Sequence, residues 1–109
     1  MPDGSFYPID MKEISAADFL KRKNNGETLL LIDVREFWEF EEETMATRCY
    51  PLGELPQFLD ELKAVKDQEI ILHCNTGDRS KKAQKYLTKN GFTEVYSLIG
   101  GLEAIKALT

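Results

Sequence analysis

Glu69-Ile70-Ile71-Leu72-His73-Cys74-Asn75-Thr76-Gly77-Asp78-Arg79-Ser80 is an apolar run that breaks, at a cysteine, into a short polar loop holding one glycine. Its apolar residues are consecutive rather than alternating, which marks a strand covered on both faces, as in a parallel α/β sheet. Beyond the loop, Ala83, Tyr86 and Leu87 recur at helical spacing, and Asn90-Gly91 is a C-terminal stop signal. A helix is therefore expected from about Ser80. A strand, loop and helix in this order place the loop beyond the carboxyl end of the sheet, where open α/β folds bind ligands.

The same alternation extends outward in both directions. Met11 to Ile14 reads as a short strand, followed by Ser15 as an N-cap, with Asp18 completing a capping box. Ala16, Phe19 and Leu20 form one side of a helix that ends between Lys23 and Gly26. Residues 28–33, TLLLID, are a second continuous apolar run. Residues 36–43 carry five glutamates among Phe37, Trp38 and Phe40, and read as a helical turn with aromatics inward and glutamates outward. Residues 44–50 read ambiguously, with Arg48-Cys49-Tyr50 a candidate end of a short strand before Pro51. Pro56 suits a helix first turn, and Leu55, Phe58, Leu59, Leu62 and Val65 trace an amphipathic stripe. Glu94 to Leu98 is the last strand, Gly100-Gly101 a turn, and Leu102, Ile105 and Leu108 the stripe of a closing helix.

The resulting expectation is one α/β domain over residues 11–109, preceded by a flexible arm over residues 1–10. A chain of 109 residues suits one core. The longest apolar runs, such as Leu29 to Ile32, fall far short of the roughly 20 residues a membrane helix needs, so no membrane association is expected. The N-terminus lacks a basic start and an apolar stretch, and with two cysteines in 109 residues a reducing cytoplasm is the expected location. A formal net charge of -5 argues against nucleic acid as a partner. A single histidine and the lack of a close cysteine pair leave no zinc site, and no cofactor is implied.

The chemistry is expected at Cys74. Loop amides and the following helix N-terminus would face its sulfur, favouring the thiolate, the nucleophilic form. Four residues, Asn75 to Asp78, separate Cys74 from Arg79. Cysteine phosphatases of similar design use five, so this smaller cup suits a single bound sulfur atom better than a phosphoryl group.

These residues carry a resemblance. LLIDVREFWEFEE, PLGELPQFLDEL and IILHCNTGDRSKKAQKYLTKNGFTEVYSLIGGLEAI together resemble a single-domain rhodanese-like sulfurtransferase. The likeness implies a mainly parallel sheet of about five strands with helices on both faces. It implies that Cys74 takes up sulfane sulfur as a persulfide and passes it to a thiol or cyanide-like acceptor. Asn75, Thr76, Gly77, Asp78, Arg79 and Ser80 would then form the substrate cradle, with Asp33 and Arg35 as internal supports. A persulfide, protein-bound or small, is the expected donor, with thiosulfate a poorer one; a protein is a further candidate acceptor, and a monomer is the expected state. The alternative is a weakly active or non-enzymatic sulfur carrier or protein-binding module.

Two departures from the family's pattern bear on the site. The family commonly shows E-(F/Y)-x-x-G-H-I, whereas this chain reads Glu39-Phe40-Glu41-Glu42-Glu43-Thr44-Met45, without the glycine or histidine. A tryptophan often found in the last helix is Ile105 here. Asp78 offsets Arg79, so a dianion such as thiosulfate would be drawn weakly unless Lys81 and Lys82 reach back. His73 should point away from Cys74, because neighbouring strand residues face opposite sides. Cys49 reads as structural; a resolving role would require its sulfur to approach Cys74.

Overall fold

Each apolar run forms a strand in the computed structural model, which describes residues 11–109; the expected arm at residues 1–10 lies outside that range. In chain order the elements are β1 (Lys12–Ile14), α1 (Ala16–Asn24), β2 (Leu31–Asp33), α2 (Phe37–Glu42) and β3 (Arg48–Cys49). There follow α3 (Leu55–Leu62), β4 (Ile70–His73), α4 (Asp78–Lys89), β5 (Val95–Leu98) and α5 (Gly101–Leu108), with short 3-10 turns flanking α3. The five strands are all parallel, in the order β1-β5-β4-β2-β3. β4, which leads into the Cys74 loop, is therefore central.

Alternate residues of the continuous runs feed two cores, which is why the runs need no polar face. Ile32, Leu72 and Cys74 pack with Leu55 and Leu62 of α3 and with Ala83 and Leu87 of α4. Leu31, Ile71 and Leu98 pack on the other side with Phe19 of α1 and Ile105 of α5. Ile105, in the position of the family's tryptophan, is a buried member of that second core.

Several local expectations change. β2 spans three residues rather than six, because its ladder with β4 begins only where the Ile71 amide bonds Leu30, 2.9 Å away. The Ser15 hydroxyl accepts from the Asp18 amide at 3.0 Å, so the N-cap of α1 forms as read. The helix α4 starts at Asp78, two residues earlier than expected: Gly77, at φ +111°, turns the chain and puts an acidic residue at the favourable helix N-terminus. Leu108 is exposed, so the α5 stripe buries only Leu102 and Ile105.

Candidate active site

Cys74 follows the last residue of β4, and its side chain is almost wholly enclosed, with 1% of its surface exposed. Two backbone amides aim at its sulfur: Gly77 N–H at 3.1 Å and Ser80 N–H at 3.4 Å. Both belong to the cap and first turn of α4, where helix amides have no partner of their own and the helix dipole is positive. The arrangement is therefore a ready acceptor of negative charge on sulfur. Of the loop amides, those of Gly77 and Ser80 are the ones that donate to Sγ.

The loop is held from below by α5. The Leu102 amide bonds the Cys74 carbonyl at 2.8 Å, and the Glu103 amide bonds the Asn75 carbonyl at 3.0 Å. This approach depends on Gly101, at φ +58°: a Cβ there would strike the Cys74 carbonyl and lie 2.7 Å from the Asn75 carbonyl carbon. Ser80 Oγ adds a bond to the Gly77 carbonyl at 3.0 Å and lies 2.7 Å from Ser97 Oγ of β5.

A second network braces the side of the loop. Arg35 is buried and grips the Asp33 carboxylate through Nε at 3.0 Å and Nη2 at 2.8 Å, while its Nη1 donates to Asn75 Oδ1 at 2.9 Å. It also donates to the carbonyl of Glu43, tying down the end of α2. Burial alone would raise the Asp33 carboxyl, but the Arg35 side chain and amide, the neighbouring His73 and the Thr44 hydroxyl outweigh it and hold it below its ordinary value. His73 lies 3.6 Å from Asp33 and 3.3 Å from Thr44 Oγ1, with its other ring nitrogen 3.3 Å from the Cys74 carbonyl. Its ring does not join the amides around the sulfur, and burial lowers its pKa, keeping it neutral at pH 7.

The departures in residues 39–45 find structural answers. Glu43, at the family's glycine position, has φ -165°, an extended backbone that any residue adopts. Thr44, at the histidine position, donates to Asp33 Oδ2 at 2.8 Å and accepts from the Ala46 amide at 3.1 Å. The acidic helix itself is rotated relative to expectation. Phe37 and Trp38 are exposed, 44% and 61%, whereas Glu39 turns inward and meets Arg79. The ion pair and the Arg35 bonds to α2 carbonyls set this rotation, leaving only Phe40 of the three aromatics packed on a core.

The six loop residues thus have different situations. Asn75 is bonded to Arg35 and, through Nδ2, to Glu39 at 3.2 Å. Thr76 and Asp78 are exposed at the mouth; Gly77 and Ser80 are buried against the sulfur. Arg79 makes a two-pronged pair with Glu39 at 2.7 and 3.0 Å. Lys81 lies 3.7 Å from Glu13 of β1, so it does not reach back to the loop. Glu39, Thr44, Ser97 and Gly101 were not legible as site residues. Only Glu39 had a possible signal, its place in the E-F pair of the family pattern.

Cys49 shares a register row with Asp33 and His73, two strands from β4 and on the sheet face opposite Cys74. Two strand spacings amount to roughly 10 Å, beyond disulfide reach. Burial pushes its thiol pKa up to about 12, in keeping with a structural residue.

Residues 15–108 match the rhodanese-like domain family. The chain belongs to that family. Thiosulfate sulfurtransferase GlpE of Coxiella burnetii is 31% identical over 98 residues, which cover 89% of this chain and 86% of that protein. The tRNA uridine(34) hydroxylase of Yersinia pestis is 30% identical over 105 residues, 92% of this chain; the chain spans only 30% of that relative's length. A solved structure of a rhodanese-related protein from Thermoplasma volcanium shares the fold, with TM-score 0.75 and 23% identity over 89% of this chain and 92% of that one. This rhodanese-like domain has the five-stranded parallel sheet and two helical layers that its sequence implied. Among the described residues, no helix is long and apolar enough to cross a membrane.

Proposed function

We propose that this protein is a sulfurtransferase that carries sulfane sulfur as a persulfide on Cys74. The observation that carries this reading is the pair of amides, Gly77 and Ser80, converging on a cysteine sulfur at the carboxyl end of the central strand. The family membership and the GlpE relative support it.

In the forward step the Cys74 thiolate attacks the outer sulfur of a donor R–S–SH. The Sγ–S bond forms, the donor S–S bond breaks, and the donor leaves as its thiolate. A thiol or cyanide then attacks the outer sulfur and returns Cys74 to the thiolate. The amides stabilise anionic sulfur on either side of the step, so the protein contributes placement and electrostatics rather than acid–base groups. No cofactor enters the reaction.

Low-charge persulfides suit the site better than thiosulfate. Arg35 is spent on Asp33 and Arg79 on Glu39, leaving Asp78 as an exposed negative charge at the mouth. The cytoplasm, where thiols stay reduced, is the compartment that keeps Cys74 available.

A second reading, a sulfur carrier with little turnover, draws on the 1% exposure of Cys74. Steady-state assays with glutathione persulfide and cyanide separate the two: repeated turnover supports an enzyme, and one sulfur per chain supports a carrier.

A further inference from the structure

The segments that pack against the Cys74 loop carry exposed apolar side chains that the sulfur-transfer step does not use. Among the described residues, four large apolar side chains are exposed: Phe37, Trp38, Ile99 and Leu108. Three of them lie at the carboxyl end of the sheet, on the elements that follow the two strands flanking β4. Trp38 immediately precedes Glu39, which bonds Arg79 and Asn75 of the loop. Ile99 immediately precedes Gly100, whose amide packs against Gly77, 3.4 Å from where a side-chain carbon would sit. These exposed residues, which form a rim, thus follow the strands on both sides of β4, the strand that leads to Cys74. Exposed apolar residues scattered singly mean little, but residues gathered around a functional loop mark a contact surface.

The charge of this rim states what it would contact. Glu36, Glu41, Glu42 and Asp78 are exposed on these segments, while Arg79 is paired with Glu39, and Lys106 with Glu43 at 3.0 Å. An acidic border repels nucleic-acid phosphates and small dianions, and attracts lysine- and arginine-bearing surfaces. Aromatic residues in an exposed, partly preordered position are favourable anchors for protein contacts. Phe37 is already braced edge-on against Phe58, with ring centroids 6.5 Å apart.

We infer that the rim is a docking surface for a basic, partly apolar protein segment that presents a cysteine persulfide to Cys74. This rests on the sulfurtransferase reading and names the class of its donor. The protein segment is held by Trp38, Phe37 and Ile99 and by the acidic residues, while its outer sulfur enters the loop. The Sγ–S bond of Cys74 then forms as the partner's S–S bond breaks, releasing the partner cysteine as a thiolate.

The test uses synthetic persulfidated peptides with a central cysteine flanked by leucines and either lysines, glutamines or glutamates, beside glutathione persulfide. Single-turnover loading of Cys74 is followed by intact mass, and binding of non-reactive serine peptides by the fluorescence of Trp38, the sole tryptophan. The lysine peptide should load about tenfold or more faster than the glutamate peptide, with the gap closing at high salt. Trp38→Ser should slow lysine-peptide loading several-fold and leave glutathione persulfide loading unchanged; Glu41→Lys with Glu42→Lys should invert the charge preference. Equal loading of all three peptides, or a Trp38→Ser protein that takes sulfur from the lysine peptide at the parent rate, overturns the docking surface while glutathione persulfide still loads. Failure of every donor, glutathione persulfide included, instead brings down the sulfurtransferase reading and the docking surface with it.

Discussion

Arg79 and Glu39, 40 residues apart in sequence, meet through two bonds of 2.7 and 3.0 Å beside the Cys74 loop. The pair joins α4 to α2 and neutralises the loop's only arginine. Its carboxylate also receives the Asn75 amide, so one side chain holds two positions of the loop.

This pair has a pH signature. The Arg79 hydrogen bonds hold the Glu39 pKa at about 2, against 4.5 ordinarily. A carboxyl depressed on folding contributes stability that is full above pH 4.5 and lost as pH falls toward 2. Glu39→Gln should cost about 1–2 kcal/mol at pH 7, after allowance for the partly exposed guanidinium, and should flatten the stability curve between those limits. Urea titrations at a series of pH values check this. The same variant frees Arg79 and should raise thiosulfate loading of Cys74 several-fold.

His73 acts in a higher window. Burial lowers its pKa below 6.5, so the unfolded chain takes up the proton first and stability should fall as pH drops below about 6.5. His73→Asn should remove that part of the pH dependence, read from the same titrations.

Asp33 is fully buried and meets Arg35 through two of its guanidinium nitrogens. Replacing it with Asn leaves the guanidinium buried without its charge partner, at a cost of about 3–5 kcal/mol. Because Arg35 also holds Asn75, the lost stability should come with slower persulfide formation. Chemical denaturation and single-turnover loading measure the two effects.

Gly101 is a backbone requirement of the site. Gly101→Ala adds a methyl group against the Cys74 and Asn75 carbonyls at a positive φ, so it should destabilise the fold by more than about 2 kcal/mol and slow loading at least tenfold. Gly53, with an ordinary φ and no atom within 4 Å of an added Cβ, provides the contrast. Gly53→Ala should leave both properties near the parent values.

The order of strands and helices was legible because apolar periodicity reports burial directly: Leu31 to Ile32 and Ile70 to Leu72 feed both cores. The Cys74 loop was legible because a cysteine, a glycine and an arginine at fixed spacing imply a turn and a helix start. The inward turn of Glu39 was not, since its partner lies 40 residues away and a run of glutamates reads as a solvated face. The exposure of Trp38 followed from the same rotation, against its hydrophobicity. Thr44 and Ser97 were silent because a small hydroxyl has no pattern until its partners are placed.

Cys74 reactivity can be read directly by intact mass. Reduced protein is exposed to glutathione persulfide and, separately, to thiosulfate, alongside a Cys74→Ser control. The expected result is a Cys74-dependent gain of about 32 Da, one sulfur atom, removed by cyanide or thiol and formed faster from the persulfide. A folded, reduced protein that gains no mass from either donor, or gains it equally in the Cys74→Ser variant, would contradict sulfur carriage at this site.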